Sequence, residues 1–135
     1  MILSDREIQA AIARKAILVT GCPPSDSPRW SSTSLDLTLD AEIRPWKEIE
    51  SVGEDTTIDP TKEGFDSNAL AVRHTRVHDC TRGYIIEPSK LVLAWTMEKI
   101  KLPHTSKIAA RVEGSPIRLE IWNIGPLAIK LTKGM

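Results

Sequence analysis

From Tyr84 the sequence runs YIIEPSKLVLAWTMEKIKLPHTSKIAARVEGSPIRLEIWNIGPLAIKLTKGM to Met135. Short apolar runs (YIIEP, KLVLAWTMEKIKLP, KIAARVEG, PIRLEIWN and PLAIKLTKGM) are separated by turn residues, the pattern of consecutive strands. In 117–122, Ile117, Leu119 and Ile121 share one face; in 127–131, Leu127, Ile129 and Leu131 do the same. The connection Asn123-Ile124-Gly125-Pro126 predicts a hairpin between these two strands. Glu120 falls on the polar face of its strand with Arg118 and Trp122. From spacing alone it reads as a surface charge opposite Lys130, worth a few tenths of a kcal/mol.

Upstream the pattern changes. Ser4-Asp5-Arg6-Glu7 has the S-x-x-E form of a capping box, and Ile8, Ala11 and Ile12 then share a helical face, predicting a short helix over about 4–14. AILVT reads as a small strand. Three prolines keep GCPPSDSPRWSS (21–32) out of regular structure. TSLDLTLD (33–40) alternates, with Leu35, Leu37 and Leu39 on one face, and predicts one half-buried strand. Residues 47–69 are polar and aperiodic, a long excursion with room for short strands; a loop of that length in a small domain usually carries function or moves. The sum is a mostly-β domain, a jelly roll or distorted barrel with a short N-terminal helix.

A chain of 135 residues is the size of one domain. Its formal net charge is zero, which offers no electrostatic case for a nucleic-acid polymer or an anionic membrane. Two cysteines, Cys22 and Cys80, are too few for a disulfide scaffold. The charged N-terminus lacks the apolar core of a signal peptide, and no apolar run is long enough to span a bilayer. A cytoplasmic protein is expected.

Standard chemical motifs are scarce. His74, His78 and Cys80 form H-x3-H-x-C, a zinc-like spacing if helical. VRHTRVHDC reads instead as strand or loop, where the three merely point the same way, and only His104 and Cys22 remain as further ligands. No metal site is expected. Neither a phosphate loop nor a nucleophile elbow is present, and the zinc-deaminase signature is absent. Trp95 and Trp122 lie in strands and read as core or interface packing. Arg73 and Arg76 read as a solvated face.

Several stretches together, however, resemble the dCTP deaminase family, relatives of the trimeric dUTPases: MILSDREIQAAI, STSLDLTLD (32–40), IIEPSKLVLAWTMEKIKLP (85–103), RVEG (111–114) and LEIWNIGPLAIKLTKGM (119–135). The resemblance implies a dUTPase-like β fold and a homotrimer with active sites between subunits. It also implies hydrolytic deamination of dCTP to dUTP, with Mg2+ carried on the triphosphate and no zinc. The family's catalytic acid lies in an L-E-x-[YW]-N strand, which matches Leu119-Glu120-Ile121-Trp122-Asn123, so Glu120 is the implied general base.

Two departures accompany the match. Gly114 runs directly into Ser115-Pro116-Ile117, where the family carries an R-S-S-x-x-R motif for the triphosphate and then a V-T-A-containing segment. The family's C-terminal strands and tail continue past the point where this sequence ends at Met135. The expectation is one dUTPase-like domain over 1–135, internally deleted at 114/115 and truncated at the C-terminus, with substrate-binding residues unassigned. Two functions stay open: a deaminase with Glu120 as base, or a non-catalytic β module that keeps oligomer contacts or weak nucleotide binding. A degraded remnant that folds poorly is a third possibility.

Overall fold

The computed structural model describes residues 2–48, 53, 57–103 and 116–135. The predicted strand KIAARVEG and the Gly114–Ser115 junction lie outside these residues. The chain is mostly β. It opens with helix α1 (Asp5–Ala13), whose capping box forms as the sequence predicts: Ser4 accepts from the Glu7 N–H, and Glu7 accepts from the Ser4 N–H at 2.8 Å. Ala11 is buried on its inner face.

The short strands β1 (Leu18–Thr20), β2 (Trp30–Ser31) and β3 (Ser34–Leu35) follow, then the longer β4 (Leu39–Pro45). The predicted strand 33–40 is therefore broken at 36–38. The cause is Glu98. Its buried carboxylate accepts from the Thr38 N–H at 2.9 Å and the Thr38 hydroxyl at 2.8 Å, and pairs with Arg29 at 2.5 Å. The first of these takes up the Thr38 N–H, a donor that would otherwise serve a ladder. β2 also shows that the proline-rich stretch ends in regular structure, a tight two-stranded ribbon with β3.

A second helix, α2 (Ser67–His74), corrects the reading of a single N-terminal helix and of 47–69 as excursion or strand. Asp66 caps it, its carboxylate accepting from the Asn68 and Ala69 N–H groups. That short-range bond holds a first turn that weak periodicity did not advertise.

β7 (Leu91–Lys101) is the spine of a five-stranded antiparallel sheet. β4, β1 and β8 (Pro116–Trp122) all pair with it, and β5 (His78–Asp79) extends the sheet beyond β4. β6 (Tyr84–Ile86) pairs separately with β9 (Ile129–Leu131). The expected hairpin of 117–122 with 127–131 does not form: β8 pairs with β7 and β9 with β6. Asn123 is the reason. Its buried side chain donates to the Ile86 carbonyl at 2.9 Å and the Leu127 carbonyl at 2.8 Å, while its Oδ1 accepts from the Gly125 N–H at 3.1 Å. These bonds carry the chain away from the β8 edge and onto the β6 ribbon. The core lies between sheet and ribbon, where Leu39, Ile43, Cys80, Val92 and Ala94 meet Ile86 and Leu131, with Leu119 and Ile121 packed alongside.

Candidate functional site

Alternation in Pro-Ile-Arg-Leu-Glu-Ile-Trp sets the faces of β8. Ile121 lies opposite Val92 and Leu119 opposite Ala94, both on the core side. Arg118, Glu120 and Trp122 take the outer face and are exposed. The expected cross-strand pair of Glu120 with Lys130 is not present. Glu120 lies opposite Leu93, and Lys130 lies opposite Ile85 in the other sheet. Glu120 therefore projects from an apolar neighbour with no ion-pair partner among the described residues.

Two residues along the same face, Arg118 lies opposite Trp95 and donates to Asn68 Oδ1 of α2 at 3.1 Å. Arg44 of β4 stacks its guanidinium 5.2 Å from the Trp95 ring centroid and bonds Glu42 at 2.7 Å. Arg44, Arg118, Asn68, Trp95 and Val72 line an open cleft of about 310 Å³. Its chemistry is two guanidinium groups, one amide and an indole face, which suits an anion attached to a flat apolar group.

Neither this cleft nor its Arg44–Trp95 stack is foreseen in the sequence. The only signal was the alternation that places Arg44, Trp95 and Arg118 on outward positions of neighbouring strands. A larger cleft of about 520 Å³ lies between the end of β4 and β6, lined by Trp46, Lys47, Tyr84, Glu87 and Lys90 among others. There Lys47 donates to the Arg73 carbonyl at 2.6 Å, and Trp46 Nε1 is buried without a partner. A third cavity, about 400 Å³, adjoins it and adds Arg76. A fourth, about 270 Å³, is apolar, between α1 and Val19, Leu35 and Ile100. Glu120 lines none of these four.

The H-x3-H-x-C residues are dispersed over three kinds of structure. His74 ends α2, His78 lies on β5 edge-on to Tyr84, and buried Cys80 donates its thiol to the Asp40 carbonyl at 3.3 Å. Cys22 is half-buried near the Pro23 carbonyl, and His104 lies outside the described residues. Among the described residues no three His, Cys, Asp or Glu side chains converge as a metal-binding group. Trp95 is half-buried, whereas Trp122 is 62% exposed and so is not a core residue. No described helix is long and apolar enough to cross a membrane.

Comparison with known proteins bears on this geometry directly. The sequence profile of the dCTP deaminase-like family matches residues 2–117. A relative named dCTP deaminase, dUMP-forming, from Hydrogenobaculum sp. is 30% identical across the whole chain, which spans 77% of that relative. Their alignment runs over 157 positions, more than the 135 residues of this chain, so the relative carries residues within the match that have no counterpart here. A relative of the same name from Corynebacterium kroppenstedtii is 32% identical over 84% of the chain, which spans only 54% of that protein. The crystal structure of 2'-deoxycytidine 5'-triphosphate deaminase from Agrobacterium tumefaciens superposes with a TM-score of 0.67 at 20% identity, covering 98% of this chain and 45% of that one. The architecture is thus the dUTPase-like fold, as the resemblance implied. With the profile matched over most of its length, this chain belongs to the dCTP deaminase-like family.

Proposed function

We propose that the chain is a dCTP deaminase-type hydrolase in which Glu120 acts as general base. The observation that carries this reading is the Glu120 carboxylate, exposed on β8 and unpaired among the described residues, in the L-E-x-W-N context of the family's acid. Glu120 takes a proton from water as the water oxygen bonds to C4 of cytosine. It delivers that proton to N3 of the ring, and the departing amine takes the second proton of the water, so that dCTP and water give dUTP and ammonia. Both relatives are named as dUMP-forming, so hydrolysis of the triphosphate is a further step to be read in the same assay. Arg118 and Arg44 would meet the phosphate oxygens at the cleft beside Glu120, taking over from the expected Arg/Ser motif. Mg2+ enters with the nucleotide, on its own phosphate oxygens. With a free deoxynucleotide as its substrate, the protein would act in the cytoplasm.

A second reading, a β module that assembles or binds nucleotide without turnover, is favoured by one observation: among the described residues, Glu120 lines none of the four clefts above. Positioning contributes as much to a barrier as the base does. The deciding experiment incubates purified chain with dCTP and Mg2+, separates products by ion-exchange chromatography, and runs Glu120→Gln beside it. The deaminase reading expects dUTP or dUMP from the wild type and at least a hundredfold less, on the order expected for removal of a general base, from the variant. Equal turnover by both proteins removes Glu120 from the mechanism. No product from either leaves the non-catalytic module.

A further inference from the structure

We infer that Glu42 is a positioning residue: against the Trp95 ring it fixes the Arg44 guanidinium in advance, so that the terminal N–H groups of Arg44 stand as a fork for phosphate oxygens. The inference rests on the reading that substrate phosphates meet Arg44 and Arg118. The two strands that build the fork, β4 and β7, lie wholly within the described residues. Period two puts Glu42 and Arg44 on the same side of β4, and Arg44 Nε donates to the Glu42 carboxylate at 2.7 Å. The guanidinium carbon stands 5.2 Å from the Trp95 ring centroid, within cation–π range. One partner thus grips an edge of the group and the other covers a face. The Arg44 side chain is only 23% exposed.

These contacts use Nε and the ring-facing side, and they leave the two terminal nitrogens, Nη1 and Nη2, with no partner among the described residues. That edge can meet two phosphate oxygens at once. Arg118 is held more loosely, its Nη1 donating to the neutral Asn68 amide oxygen at 3.1 Å. A plain surface ion pair is a poor account of Glu42. It lies directly opposite Asp79 of β5, and like charges in that relation destabilise a sheet, while a partly exposed pair with Arg44 returns little. Its placement makes sense through Arg44. A free arginine loses its rotamer freedom when it closes on a ligand, and holding it beforehand removes that cost. The ligand class follows from the register. Trp95 of β7 lies between Arg44 on β4 and Arg118 on β8, so the ligand is a polyphosphate long enough to reach a guanidinium on either side of the indole.

The test is calorimetric titration of inorganic tripolyphosphate into the purified chain at low salt, with circular dichroism melts to verify that each variant folds. Glu42→Gln and Glu42→Ala remove the same charge, but only Glu42→Gln keeps an acceptor for Arg44 Nε. Glu42→Ala should therefore bind tripolyphosphate more weakly than Glu42→Gln by on the order of two- to tenfold, the cost of immobilising one long side chain at the moment of binding. A charge effect alone would make the two equal, and both tighter than the wild type. In an Arg44→Lys background, which has no fork, the two substitutions should bind alike. Equal affinities with Arg44 present, or a difference that persists in the Arg44→Lys background, overturn the inference and leave the phosphate placement standing. Tripolyphosphate binding that is absent, or that Arg44→Lys does not weaken, overturns both. Failure to form dUTP or dUMP from dCTP bears on the Glu120 reading alone, because the titration reads binding without turnover.

Discussion

Glu98 supplies the sharpest quantitative expectation. Its carboxylate is buried beneath the 36–38 break and serves three donors: the Thr38 N–H, the Thr38 hydroxyl and the Arg29 guanidinium. Replacement by Ala strips all three at once and leaves Arg29, with only 26% of its side chain exposed, without its counter-charge. Removing one partner of a buried ion pair costs about 3–5 kcal/mol. For 135 residues, an unfolding entropy of about 2.1 cal/mol/K per residue converts each kcal/mol to about 3.5 °C, so the melting temperature should fall by roughly 10–18 °C. Glu98→Gln keeps the shape and one acceptor oxygen and should lose less, about 2–3 kcal/mol.

The pH dependence has a definite sign. Burial alone would push the Glu98 carboxyl up, but the Thr38 N–H and hydroxyl and the Arg29 charge together hold it below its ordinary value of 4.5. A carboxyl lowered on folding stabilises fully above that unfolded value, and its contribution fades as pH falls from there through the folded value. The gap between wild type and Glu98→Gln, read by thermal and urea unfolding, should be constant from pH 6 to 8 and shrink below about 4.5. A Gln variant as stable as wild type at pH 7, or a gap unchanged down to pH 3, refutes the account.

Asn123→Ala removes bonds to the Ile86 and Leu127 carbonyls and the Gly125 N–H at a fully buried site. At about 1–3 kcal/mol for each polar group orphaned in the interior, urea unfolding should register a loss of about 3 kcal/mol, and a loss below about 1 kcal/mol would mean the turn holds without it. Cys80 is fully buried, and desolvation raises its thiol above the ordinary value, so native-state iodoacetamide should modify Cys22 alone, with Cys80 following only in denaturant. Mass spectrometry reads the two adducts, and labelling of Cys80 at the Cys22 rate would contradict its burial.

Local chemistry was legible in the sequence and partnership was not. Ser4 and Glu7 fixed the start of α1 because a capping box is complete within four residues. Alternation assigned the two faces of β8, placing Glu120 and Trp122 outward, because period two belongs to the strand alone. Strand pairing is a property of the whole fold. The run 127–131 has the same apolar period whether it meets β8 or β6, and the side chain that chooses, Asn123, gives no periodic signal. The Glu98 carboxylate was detectable in principle. It continues the inward series Val92, Ala94, Thr96, and an acid at an inward position requires buried donors. The two arginines of the small cleft come from strands far apart in sequence, so only the register of β4 and β8 on β7 brings them to Trp95.

Proton transfer makes two demands on the Glu120 carboxylate, access and enclosure. A proton shuttle works best with a carboxyl whose pKa is raised toward neutrality by a water-poor surrounding. On β8 of a single copy, Glu120 has buried Leu93 opposite it and water around it, a position that supplies access without enclosure. Enclosure would have to come from another surface laid against the outer face of β8, and positioning from Arg118 and Arg44 at the cleft two residues away on that face.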